Sequence, residues 1–136
     1  MGNFSDFQYS PNQKPAKKDT LRISRKGNRF AGHLTLFKFI DRDTKQTVVY
    51  TPSFDISGYG ETMEKALEML KFSIDDLFEN LSSLSINKLR EELAKYGWKK
   101  DALRNKEFSK AFVDIDGSLK NFNAVDDKVE RLSLVA

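Results

Sequence analysis

Cysteine is absent from this chain of 136 residues, histidine occurs once and proline three times. The missing thiols exclude disulfides, a cysteine nucleophile, cysteine-ligated zinc and iron–sulfur clusters. His33 alone cannot build a multi-histidine metal site within the chain, and it is the sole candidate for a catalytic imidazole. No apolar run approaches the roughly 20 residues of a membrane helix. The longest, residues 34–40, is broken by Thr35 and Lys38. Residues 1–6 lack a basic stretch followed by an apolar one, so no secretory signal is expected. A phosphate-binding loop and a full Gly-x-Gly-x-x-Gly fingerprint are also missing, since Gly58-Tyr59-Gly60 stops short of the latter. These absences lead to the expectation of a cytoplasmic protein with no membrane contact, metal or cofactor.

What is present argues for a packed domain. Eleven Phe, four Tyr and one Trp supply large packing units, and hydrophobic residues make up 39% of the chain. A single domain of this length buries roughly two thirds of its unfolded surface. The net charge of +3 is a cancellation. Residues 1–45 carry ten basic and four acidic side chains, and residues 46–86 carry two and seven. Residues 87–110 carry eight and four, and residues 111–136 carry three and five. Such segregation suits a protein that meets charged partners. The simpler reading, preferred over it, is that sheet edges and helix backs are solvated and Lys blunts edge strands against aggregation.

Residues 1–19, with Pro11, Pro15, Lys14, Lys17 and Lys18, read as a flexible basic arm from which Phe4, Phe7 and Tyr9 can dock. A single domain is expected over residues 20–136. Leu21 and Ile23 alternate with Arg22 and Ser24 as a short strand, and Lys26-Gly27-Asn28 is a turn. A longer strand covers residues 34–40, and residues 41–45 form a polar hairpin loop. Residues 47–51 form a third strand, stopped by Pro52, and a short extended piece surrounds Ile56. The period changes at Thr62. Met63, Leu67, Leu70, Ile74, Leu77 and Leu81 share one helical stripe, with Thr62 as N-cap. Ser85 caps a second helix with Ile86, Leu89, Leu93 and Tyr96 on its apolar face, and Gly97-Trp98 ends it. Beyond it, residues 111–115 and the region of Val129, Leu132 and Leu134 read as strands, with Asp116-Gly117 as a turn. The fold class expected is α+β: an antiparallel sheet of three or four strands with a long amphipathic helix on one face, a second helix and a C-terminal extension.

The segment from Val48 to Leu70, VVYTPSFDISGYGETMEKALEML, resembles the core of the HicB-like antitoxin family. The shared features are a strand ending at Pro52, a second strand around Ile56, a Gly60-Glu61-Thr62 step into a helix, and Ala66 on its inner face. Pro52, Gly60, Thr62 and Ala66 are the fold-defining positions. Gly60 is expected to take an unusual backbone angle before the cap. The resemblance spans residues 34–81, with residues 20–84 as the HicB-like core and 85–136 as the extension. It implies a partial RNase H-like βββα unit and a non-catalytic antitoxin that binds a small ribonuclease toxin, commonly as a homodimer. Residues 89–99, LREELAKYGWK, are similar to the helix and Gly-Trp turn of the HicA-type toxins. Those toxins need a later histidine, which this chain lacks, so Gly97-Trp98 reads as a helix stop.

Other chemistry is weighed against simpler roles. His33 has no nucleophile or paired carboxylate beside it in sequence and reads as structural or superficial. The pairs Asp41/Asp43, Asp75/Asp76, Asp114/Asp116 and Asp126/Asp127 raise metal-dependent RNase H-type hydrolysis, which needs carboxylates converging from strands and a helix. Arg22, Arg25, Lys26 and Arg29 beside Phe30 form a candidate partner or nucleic-acid surface, in which the ring would stack on a base. With so small a net charge, protein binding is the preferred reading, ahead of nucleic-acid binding and then of hydrolysis.

Overall fold

The structure, a computed structural model, describes residues 7–12, 18–24, 29–100, 107–111 and 124–136. It is α+β, and every strand pairing among these residues is antiparallel. The strands are β1 (Gln8–Tyr9), β2 (Lys18–Ser24), β3 (Arg29–Ile40), β4 (Thr47–Thr51), β5 (Ile56–Gly60), β6 (Lys99–Lys100), β7 (Glu107–Ala111) and β8 (Glu130–Val135). The helices are α1 (Met63–Ser82) and α2 (Ile86–Lys95). No described helix is long and apolar enough to cross a membrane.

The central meander follows from local chemistry. The Asp41 carboxylate accepts from the Asp43 and Thr44 N–H groups at 3.1 and 2.8 Å, folding the chain back between β3 and β4. This Asp41/Asp43 pair therefore builds a turn. Pro52 follows β4, its carbonyl accepts from Asp55 N–H at 3.3 Å, and β5 then returns along β4. Thr62 caps α1 by accepting from Lys65 N–H at 3.2 Å.

Helix α1 buries Ala66, Leu70, Ile74, Phe78 and Leu81. The stripe is rotated from the expected one, because Leu67 and Leu77 lie at its half-buried margin. Phe78 is the reason. Its ring stacks on Phe30 at 4.2 Å, meets Phe54 edge-on at 5.5 Å and lies 6.1 Å from Phe7. Close approach is set by Gly58, where an added Cβ would run into the Ala66 carbonyl and lie 2.6 Å from Leu70 N. Gly60 does not have the positive φ expected of it. Its role is spatial, since a Cβ there would lie 2.7 Å from Lys65 Cβ.

Ser85 accepts from Lys88 N–H at 3.3 Å and opens α2. Its end is a Schellman turn: Gly97 at φ 89° donates to Ala94 O, and Trp98 N–H donates to Leu93 O. Trp98 is thereby folded into the core, and its Nε1–H donates to Ser53 O at 3.1 Å.

The sheet exceeds the three or four strands expected, because β7 joins β2 and β8 joins β3. The arm expected over residues 1–19 is also partly built in. Phe7 is 2% exposed, Gln8 and Tyr9 pair with β8, and β2 begins at Lys18. The apolar ring of Phe7 outweighs its polar context. In the expected strand at residues 111–115, Ala111 closes β7, and residues 112–115 and the Asp116-Gly117 turn lie outside the described residues.

Candidate functional site

Strand β3 uses one edge for β8 continuously from His33 to Lys38. Its other edge serves two strands in succession, β2 as far as His33 and β4 from Phe37 onward. Thr35 therefore stands at a breach where, among the described residues, no strand pairs with it on that edge. A buried N–H left there would cost the full desolvation penalty of the group. Asp19, at the start of β2 and 5% exposed, fills the breach. Its Oδ1 accepts from Thr35 N–H at 3.0 Å and from the Thr35 hydroxyl at 2.7 Å, and Oδ2 accepts from the Ser53 hydroxyl.

The cluster continues through His33. Its Nδ1 lies 3.5 Å from Asp19 Oδ1, and its Nε2 is 3.0 Å from Ser133 Oγ on β8. Burial alone would raise the Asp19 pKa, but the His33 imidazole, the Ser53 hydroxyl and the two Thr35 donors outweigh it and hold the carboxyl below its ordinary value. The order serine, imidazole, carboxylate is that of a hydrolytic triad. Here Ser133 is 1% exposed and presents no surface to a substrate. What the arrangement does physically is join β2, β3, β8 and the turn after β4 through one buried anion. Near that turn the Tyr50 hydroxyl is pushed up to about 12 by burial and by its 2.8 Å hydrogen bond to the Asp55 carboxylate.

The sequence pointed to none of Asp19, Thr35, Ser53 and Ser133. A signal existed for Asp19 alone, which shares the alternation of Leu21 and Ile23, so the polar residue falls on the core-facing set. The other partners come from distant strands that one sequence does not align.

The predicted basic surface is brought together only in part. Arg22 is exposed on β2. Arg25 and Lys26 lie outside the described residues, and of Arg29 only the backbone is described. Phe30 is a correction. It is 2% exposed, paired opposite Ile23 and stacked on Phe78, so its ring cannot meet a base. Among the described residues, no three His, Asp or Glu side chains gather as a metal site requires. The pair Asp114/Asp116 lies outside them. Of the fold-defining positions, Thr62 caps α1 and Ala66 is fully buried against β5.

Two features face outward. Strand β5 pairs with β4 only, and among the described residues no strand covers its other edge. Tyr59 N–H on that edge reaches Met69 Sδ of α1 at 3.4 Å, a weak acceptor. From there a row of apolar side chains stays in water: Tyr59 is 53%, Met69 39% and Phe72 68% exposed. Further along, a groove of about 390 Å³ between α1 and α2 is floored by Leu77, Leu81 and Leu84 and edged by Glu91 and Glu92.

Comparison of this chain with protein-family models, curated proteins and solved structures finds no match.

Proposed function

We propose that the chain is a non-catalytic protein-binding module of the HicB-like kind, whose partner is a small ribonuclease toxin and whose own copies pair as a dimer. Strand β5 carries the proposal. It is a five-residue edge whose outward N–H at Tyr59 meets, among the described residues, a thioether sulfur. A strand from another chain offers carbonyl oxygens, which are better acceptors, and would displace Met69 to extend the sheet. The chain order β3, β4, β5, α1 is also the βββα order that the resemblance implies.

Ser57→Pro supplies the test. Ser57 lies two residues from Tyr59, so its N–H points to the same outer edge, and its loss spares the ladder to β4. Light scattering of the wild type should show a dimer that Ser57→Pro dissociates. A wild type that stays monomeric at all concentrations removes the edge reading. The partner is tested by co-purification from the native cell. A small basic protein whose ribonuclease activity the chain suppresses is expected, and manganese-dependent nuclease activity of the chain itself would overturn the reading.

A further inference from the structure

The outward face of α1 is apolar where a folded helix has no use for it. Phe72 leaves more of its surface in water than any other large hydrophobic side chain described, and it contributes nothing to the core cluster. One turn before it lie Glu68 and Met69, and one turn after it lie Asp75 and Asp76. Glu64 and Glu79 extend the same negative surface in both directions and are exposed. Two cations share α1: Lys65 sits 3.7 Å from Glu61, and Lys71 Nζ is directed to Gln8 Oε1 at 2.7 Å, so Glu64, Glu68, Asp76 and Glu79 outnumber them on the helix. An aromatic ring inside a ring of carboxylates has the composition of an interface anchor with an electrostatic surround.

The charge selects the occupant. Nucleic acid and anionic membrane surfaces carry negative charge and are repelled here. A second copy laid face to face would set these carboxylates against one another, so the face is not its own complement. A cationic polypeptide with an apolar side to cover Phe72 and Met69 satisfies both requirements. We propose that this face, centred on Phe72, docks a basic amphipathic segment of a partner protein. The proposal rests on the protein-binding reading above and names the chemistry of the partner, on a surface separate from the β5 backbone edge.

The test uses the full chain in titration calorimetry against three synthetic helical peptides. One has lysines on one side and leucines on the other, a second replaces lysine by glutamate, and a third replaces leucine by serine. The lysine–leucine peptide is expected to bind, the glutamate–leucine peptide not to bind, and the lysine–serine peptide to bind more weakly. Phe72→Ser should weaken binding about tenfold or more, and Phe72→Trp should retain it. Asp76→Asn should reduce the dependence of affinity on salt. Undiminished binding by Phe72→Ser, equal binding of both charge types, or no binding of the lysine–leucine peptide overturns the proposal. Ser57→Pro should bind the peptide as the wild type does. A strictly monomeric wild type that still binds it removes the edge reading and keeps the docking face, and a dimer that ignores it does the reverse.

Discussion

The breach at Asp19 and the outward face of α1 invert the usual placement of polarity in opposite senses. At the breach a carboxylate, an imidazole and three hydroxyls are buried. On α1 a phenylalanine and a methionine are left in water. The first inversion has a structural explanation for Asp19, Thr35 and Ser53, because β3 changes partners on one edge and the Asp19 carboxylate supplies acceptors that a strand would have supplied. The second has none among the described residues. A buried polar group that is fully explained by folding is a weak candidate for function, whereas an exposed apolar group unexplained by folding is a strong one.

That contrast can be broken most forcefully at Asp19. Asp19→Ala leaves the Thr35 N–H and the Thr35 and Ser53 hydroxyls without their acceptor, at a cost of about 3 kcal/mol in chemical denaturation. A loss below about 1 kcal/mol would mean that the breach is not held this way. The same anion sets an acid limit. Because its folded pKa lies below the ordinary 3.8, its contribution is fully present above that value and is lost as pH falls through the lowered one. Asp19→Asn should therefore unfold with a shallower dependence on acid below pH 3.8 than the wild type.

Next in size is Gly58→Ala. The new methyl meets helix backbone at Ala66 and Leu70, so α1 must lift from β5, costing about 2 kcal/mol. An unchanged melting temperature would show that the helix does not sit so close. A smaller effect is expected at the end of the polar chain. Ser133→Ala removes one buried hydroxyl from His33 and should cost about 1 kcal/mol.

How much of this was legible in the sequence depended on whether the cause was local. The Thr62 and Ser85 caps, the Gly97-Trp98 ending and the turn between β3 and β4 need only a few neighbouring residues, and each formed where its signal lies. Phe7 was legible as a ring able to dock from the arm, but its docking place was not, because its partner Phe78 lies across the fold. Phe30 was misplaced for a related reason. Flanking arginines suggested a surface, but its position opposite Ile23 turns the ring inward. The breach cluster joins residues 19, 33, 35, 53 and 133, and only the pairing of β3 with β2, β4 and β8 brings them together. The docking face was half visible, as acidic residues flanking a helix. Phe72 stands out only once the buried stripe is known to run through Ala66, Leu70, Ile74 and Phe78.

Phe72→Ser separates the two regions in one protein. Denaturation and peptide titration of this variant should give stability within about 0.5 kcal/mol of the wild type, with binding of the basic amphipathic peptide weakened about tenfold or more. Lost stability with binding intact would contradict the account, because Phe72 would then belong to the fold and not to the interface.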